Sequence, residues 1–489
     1  MTANLDNLIA VNNPLVFKKT IVGDVTTPVA LMAKIRGKYD GLKKYHFLFE
    51  SVEKASNKGR YSIVGFDPDI VFKCKNKKVG VVNFLQSEKF VDVNGDGLEI
   101  LRDVIKKSQI VSDTKSDLDS MSSGVFGYLG YDMVKLMEDL PDYDLKDDIN
   151  IADSIFIRPQ VIVIFDSIFD KITICMPFYD SGLFDENKAK KRMDEIIELI
   201  NAPLVEQKKD RNLAKGQFSS NFEKNEYCKV VEKCKDHIFK GDIFQVVASQ
   251  RFSADFDLQY SFDFYRTLRS LNPSPFMFFI EMEDFCFCGS SPEILVGLKD
   301  NIVTIRPLAG TRKRGVDAKE DAKNAADLLN DEKELAEHLM LIDLGRHDVG
   351  RVCKNGSVKL TEKMIIEYYS HVMHISSNIQ GILKDDKVAL DALISGFPAG
   401  TVSGAPKIRA MEIIEDVEKD KRSFYAGCVG YFAGNGDMQN CISLRSALIK
   451  GGKIYFQTGA GIVADSDLEL EYQECFNKAR ALMVAYDEV

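Results

Sequence analysis

Two pairs of glutamates in this sequence sit one helical turn apart, Glu334 with Glu337 and Glu471 with Glu474, and each pair follows a glycine-containing stretch. Carboxylates at that spacing repel unless a cation or a proton relieves them. A divalent metal held by hard oxygen ligands is therefore one reading of each pair, and a solvated acidic face is the other. Before the second pair lies Gln457-Thr458-Gly459-Ala460-Gly461, read as a strand end and a glycine turn. Without a Cβ, Gly459 and Gly461 let the backbone turn sharply and bring N–H groups against an anion. Before the first pair lies Pro307-Leu308-Ala309-Gly310-Thr311-Arg312, a second glycine turn with a hydroxyl and a cation beside it. Arg445 falls in the run 438–449, read as one strand in which Ile442, Leu444, Ser446 and Leu448 share a face. Alternation then turns Arg445 to the other face with Ser443 and Ala447, where a ligand could sit. Two acidic pairs, two glycine turns and an arginine on a polar strand face together favour a site for a metal and an anion. Gly400-Thr401-Val402-Ser403-Gly404-Ala405-Pro406-Lys407 lacks the Gly-Lys-Ser/Thr ending of a P-loop, so nucleotide binding is rejected.

The elements that must hold these groups are legible in outline. Ser466 and Glu469 have the spacing of a capping box, and Tyr472, Cys475, Phe476, Ala479 and Met483 form the stripe of the helix behind them. A helix over about 331–344 carries Glu334 and Glu337. A meander of strands at 427–433, 438–449 and 454–458 is separated by Gly434-Asn435-Gly436-Asp437 and Lys450-Gly451-Gly452-Lys453. Ser220 and Glu223 open another helix, Gly241 ends it, and a buried strand follows at 243–250. Nearer the N-terminus, strands are expected at 47–51, 59–65, 81–84 and 161–165, and helices at 97–107 and 186–201. The segment 205–216 has little apolar content and no period, and reads as the main linker.

The 489 residues, 45% of them hydrophobic, can bury a large core. A net charge of −10 without a basic block argues against nucleic acid or an anionic membrane as partner. Ten cysteines include no Cys-x-x-Cys and no zinc spacing, and Cys286 and Cys288 alternate as buried thiols would. No apolar run reaches membrane-spanning length and no leader is evident, so a reducing cytoplasm is expected.

Leu48-Phe49-Glu50-Ser51, Gly241-Asp242-Ile243-Phe244-Gln245-Val246-Val247, Asn272-Pro273-Ser274-Pro275-Phe276-Met277-Phe278, the stretch 307–312, the stretch 398–407 and the stretch 457–474 occur in that order. With them the chain resembles, over about residues 20–485, the anthranilate synthase component I family of chorismate-utilising enzymes. The resemblance implies an α+β fold of stacked, twisted antiparallel sheets flanked by helices, with an N-terminal region at 1–204, a linker at 205–220 and a catalytic region at 221–489. It implies Mg2+ on Glu337 and Glu474, supported by Glu334 and Glu471, holding the ring carboxylate of chorismate and polarising the departing C4 hydroxyl. Arg445 would grip the enolpyruvyl carboxylate with two parallel hydrogen bonds, and Tyr425 would add a phenol donor. Gly310, Thr311, Gly459, Ala460 and Gly461 would complete the anion cradle, Thr401 would be an active-site hydroxyl, and His374 would act as acid or base. Ser51, Pro275, Phe276 and Met277 would line a pocket for L-tryptophan as feedback inhibitor. One departure is Arg346-His347-Asp348, where the family usually has Arg-Asn-Asp.

Related isochorismate and salicylate synthases carry a lysine where Gln245 stands, and that lysine activates water. Glutamine cannot act as that base, which favours ammonia as nucleophile. Aminodeoxychorismate synthase carries a nucleophilic lysine in place of Ala309, and alanine cannot attack. The expected reaction is amination of chorismate at C2, loss of the C4 hydroxyl and elimination of pyruvate to leave anthranilate. The alternatives are an aminodeoxychorismate or aminodeoxyisochorismate synthase, or a catalytically silent binder of tryptophan or chorismate. No Gly-x-Cys-x-Gly glutaminase signature is present, so a separate glutamine amidotransferase subunit is expected to supply ammonia within a hetero-oligomer.

Overall fold

The computed structural model describes residues 5–38, 45–51, 59–110, 117–141, 143–204, 216–369 and 372–489. Several of its strands are apolar on both faces, as in Phe276–Glu281, where Met277 and Phe279 enter one hydrophobic core while Phe278 and Ile280 enter another. Phe47 and Leu48 divide the same way, as do Phe287 and Cys288. Strands buried on both sides need cover on both sides. One core takes in the helices Gly97–Lys106 and Ala389–Gly396, and the other takes in Lys224–Phe239, Ser261–Leu271, Lys407–Val417 and Leu468–Glu488. Among the described residues 22 strands join in one large antiparallel network, so the fold is the expected mixture of helices and antiparallel sheet. Among them too, no helix is long and apolar enough to cross a membrane.

The regions before and after the expected linker share this sheet. Phe47 lies opposite Ile280, and Phe126 opposite Tyr431. Residues 205–215 of the linker lie outside the described residues; Gly216, just beyond them, donates its N–H to Tyr486 Oη at 3.1 Å.

Four expectations shift. Gly459 and Gly461 are not in a turn: the strand runs through them, Lys453–Ile462, and the chain turns at 463–467. Gly310 likewise lies inside the strand Leu308–Lys313, at a bulge with φ +62°. Glycine is required at both places for close approach or backbone sign, not for chain reversal. Both expected capping boxes are displaced. The C-terminal helix Leu468–Glu488 is capped by Asp467, which accepts from the N–H of Glu469 and Leu470 at 3.0 Å each, while Ser466 Oγ accepts from Val463 N within the turn. In Lys224–Phe239 the reciprocal pair is Glu223 with Glu226, and Ser220 Oγ is engaged by Gln250 and Phe222. Finally, the run 438–449 breaks into Met438–Ile442 and Ser446–Lys450 with Arg445 between them at φ +48°. The first half pairs with Cys428–Ala433 and Ile294–Lys299, the second with Phe285–Ser291, so the chain changes neighbours at Arg445. Strand alternation therefore does not decide where Arg445 points.

Candidate active site

The strand Gln245–Asp255 runs antiparallel to Lys453–Ile462 with Val247 opposite Gly461 and Ser249 opposite Gly459. A Cβ at Gly461 would lie 2.8 Å from Gln245 Nε2, and one at Gly459 would lie 2.8 Å from Ala248 O and 3.1 Å from Tyr425 Oη. The missing side chains thus leave room for Gln245 and Tyr425. Ala460 turns its methyl into the core opposite Ala248 and offers the site only backbone.

Gln245 Nε2 donates to Glu337 Oε1 at 3.1 Å, while Gln245 Oε1 is buried without a partner. Glu337 comes from the helix Glu332–Val352, capped by Asp331. Burial and then the charge of Glu337 raise the Glu334 carboxyl above its usual range, against Arg312. The second pair behaves alike: burial raises Glu471, a bond from Ser466 opposes it, and Glu474 adds repulsion. Glu474 is paired with Lys478 Nζ at 2.7 Å, and Lys478 also donates to Gly459 O at 2.9 Å. Among the described residues no three Asp, Glu, His or Cys side chains are gathered into a metal cluster. What stands instead is two mutually repelling carboxylate pairs on two helices and one orphaned amide oxygen. That all-oxygen donor set suits a hard divalent cation.

His374 lies opposite Thr311 in the sheet. Its Nδ1 is 2.9 Å from Gly310 O and 3.1 Å from Thr311 Oγ1. A carbonyl only accepts, so Nδ1 carries the hydrogen and Nε2 is left as the basic nitrogen. Burial lowers the His374 pKa, the Gly310 carbonyl opposes this, and the charge of Arg445 lowers it further. The ring is therefore neutral near pH 7, a base rather than an acid. Arg445 has no ion pair among the described residues, and burial lowers its pKa against the opposing charges of Tyr425 and Glu474. An unpaired, half-buried guanidinium is prepared for a carboxylate.

Thr401 reveals a residue that motif reading missed. Its Oγ1 donates to both carboxyl oxygens of Glu293, each at 3.2 Å. Glu293 is 6% exposed, and burial pushes its pKa up to about 8, against the Thr401 hydroxyl and the Leu308 N–H. It therefore holds a proton at neutral pH. The available signal was a lone carboxylate in the apolar run after Ser290-Ser291-Pro292. His347 is exposed, whereas Asp348 is buried and paired with Lys407 at 2.8 Å, so the departure from the family motif falls on the solvent face.

Ser51, Pro275, Phe276 and Met277 line one cavity of about 600 Å3, together with Phe49 and Tyr431. Glu50, beside Ser51, is held by Tyr265 Oη at 2.7 Å and by Arg269 at 2.9 and 3.1 Å. None of Glu334, Glu337, Glu471, Glu474, His374, Arg445 or Thr401 lines that cavity.

Residues 45–484 match the model of the chorismate binding enzyme family. An anthranilate synthase component 1 from Cereibacter sphaeroides is 47% identical over 97% of this chain and 95% of its own length. Another from Acetivibrio thermocellus is 40% identical over 96% and 94%. The crystal structure of anthranilate synthase component I from Streptococcus pneumoniae superposes with a TM-score of 0.79 at 36% identity, covering 95% of this chain and 99% of that one. A menaquinone-specific isochorismate synthase from Escherichia coli shares the fold at a TM-score of 0.71 and 18% identity, covering 99% and 97%.

Proposed function

The chain belongs to the chorismate binding enzyme family, and from that premise we propose that it is the large component of an anthranilate synthase, converting chorismate and ammonia to anthranilate, pyruvate and water. The observation that carries this reading is Gln245, which is bonded to Glu337, packed against Gly461 and unable to deprotonate water. Its free Oε1 can accept a hydrogen from ammonia and aim the nitrogen lone pair at C2. As the C2–N bond forms, both ring double bonds shift, C1=C2 to C1=C6 and C5=C6 to C4=C5, the C4–O bond breaks, and the new C2 ammonium releases a proton to solvent to become the amine. Glu293, protonated and joined to Thr401, supplies the proton with which the hydroxyl leaves as water. His374 then uses Nε2 to take the C2 proton, the released electron pair makes the ring aromatic as the enolpyruvyl C3–O bond breaks, and the departing enolate takes a proton at its methylene carbon to become pyruvate. Arg445 and Tyr425 hold a substrate carboxylate in a forked grip.

Glu337 and Glu474 would hold Mg2+, with Glu334 and Glu471 behind them, after exchanging their present partners Gln245 and Lys478. The ion would supply positive charge for the ring carboxylate and the departing oxygen. Ammonia would come from a glutamine amidotransferase partner, as the name "component 1" of the relatives suggests, and L-tryptophan would inhibit from the 600 Å3 cavity. Incubation with chorismate, Mg2+ and ammonium should yield anthranilate. Isochorismate, 4-amino-4-deoxychorismate, an accumulated aminated intermediate, or no product would each overturn the reading. Chelation should abolish turnover, and titration calorimetry with Mg2+ should show binding that Glu474→Gln weakens.

A further inference from the structure

Arg422 is 2% exposed, and its guanidinium is the largest fully buried side chain among the described residues. Nε and Nη2 fork the carboxylate of Glu418 at 3.0 and 2.7 Å. Nη1 donates to Val402 O at 2.7 Å and Nη2 also donates to Val247 O at 2.6 Å. Tyr131 and Tyr425 place their rings 4.8 and 5.5 Å from its central carbon. Its anchor is anchored in turn, because Glu418 Oε1 accepts from Ser249 N at 2.8 Å and Ser249 Oγ at 2.7 Å.

The two carbonyls belong to the chemistry. Val402 follows Thr401, and Val247 is two residues beyond Gln245 and directly opposite Gly461. The backbone already joins the two segments through Gln245 opposite Ala405 and through Val247 N to Ser403 O at 2.8 Å. Beyond Arg422 the chain carries Ser423 at φ +54° and Ala426 at φ +62°, with Tyr425 between them. That strained passage is pinned from the N-terminal region, since Tyr131 N donates to Ser423 O at 2.9 Å and Ser423 N donates to Asp132 Oδ2 at 2.8 Å.

A buried ion pair is weak evidence for stability, because apolar replacements of similar size often do as well. Two carbonyls and a carboxylate on one planar fork have another use, since the fork fixes distances that a lysine ammonium cannot span. We infer that Arg422 is a positioning residue for the reaction, holding the Thr401 turn, the Gln245 strand and Tyr425 at constant separation. This rests on the function proposed above only for its assay.

The test compares Arg422→Lys with Arg158→Lys. Arg158 is 3% exposed, forks Asp69 at 2.9 and 2.6 Å beside the Tyr179 ring, and touches none of the site residues. Misplacement of reacting groups by about 1 Å costs on the order of a hundredfold, so Arg422→Lys should lower kcat with ammonium by about ten- to a hundredfold and change the KM for chorismate by less than about threefold. Arg158→Lys should lower Tm comparably and leave kcat within about twofold. The inference fails if folded Arg422→Lys keeps kcat within about twofold of wild type, or if kcat loss follows Tm loss equally in both variants. Should Arg422→Lys not fold, Glu418→Gln, which loosens the anchor but keeps the guanidinium, is read the same way: kcat lowered at unchanged KM supports the inference, and unchanged kcat overturns it. The wild-type product, identified first, tests the proposed function separately, and the ratio of variant to wild type tests Arg422 whichever product forms.

Discussion

Desolvation at one carboxyl gives this site a proton source that survives at neutral pH. Burial raises Glu293 from 4.5 to about 8, so between those values the folded chain binds a proton that the unfolded chain has lost. The sign follows: the stability from Glu293 is fully present below the unfolded value and is lost as pH rises through about 8. The wild-type Tm should therefore fall more steeply from about pH 5 to about pH 9 than that of Glu293→Gln, and equal slopes in calorimetry would remove the buried-acid assignment. As a proton donor, Glu293 should also make kcat fall above about pH 8, while Glu293→Gln should lose about a hundredfold or more in kcat at pH 7. At this scale residue type carried much of the information. Paired glutamates announced mutual repulsion, whereas the carboxyls of Glu334 and Glu471 are raised first by burial, with the neighbouring glutamate a smaller cause. Glu293 stayed hidden because its chemistry comes from burial by residues far away in the chain, which no local spacing encodes. The same limit applies to His374, whose tautomer follows from the Gly310 carbonyl across the strand pair.

Among the elements, long periodic stripes were legible and their ends were not. Glu186–Asn201 is found as expected, because a 3.6-residue period sums over many positions. Caps depend on one residue, and Ser466 stands beside Asp467, either of which could bond the first turn. Since Asp467 makes those bonds, Asp467→Ala should cost about 1 kcal/mol in denaturant unfolding, with Ser466→Ala costing less. The broken strand around Arg445 was illegible for another reason: its halves pair with different strands, some of them more than a hundred residues away in the chain, and pairing of that kind leaves no mark on local alternation. Gly461 sits at the opposite extreme, in a regular strand where only its missing Cβ matters. Gly461→Ala should fold normally, since the strand accepts alanine, yet displace through the 2.8 Å clash the Gln245 amide that would aim ammonia. Circular dichroism and Tm near wild type with kcat reduced about tenfold or more is the expected result, and full activity would show that Gln245 has room to spare.

The whole molecule joins a catalytic centre to a distant cavity through one sheet. The family resemblance implied a common pocket for Ser51 and Met277, although nothing in either stretch alone shows that Glu50 pairs with Met277. Nor is an apolar strand's partner readable from its own residues when both faces are buried, which is why the shared sheet across the two regions was not foreseen. Tyr431, which lines the cavity, begins an aromatic stack that runs on to Phe126 at 5.4 Å and from Phe126 to Phe47 at 4.6 Å. Tyr431 lies in the strand that leaves Tyr425 and Ala426, and Phe126 lies in the strand that leads to Tyr131 and Asp132. Both strands thus run toward the node at Arg422 and Ser423. A ligand in the cavity can alter turnover only if it binds one conformation of the protein better than another. L-tryptophan, with an indole for Pro275, Phe276 and Met277 and a polar end for Ser51, should lower kcat or raise the KM for chorismate without competing for the glutamate site. Ser51→Phe or Met277→Thr should then raise the inhibitory tryptophan concentration about tenfold or more while sparing turnover without it. Joint loss of turnover and inhibition in both variants would mean that the cavity wall serves the fold alone, and an unmodified enzyme indifferent to saturating tryptophan would mean that its occupant is some other ligand.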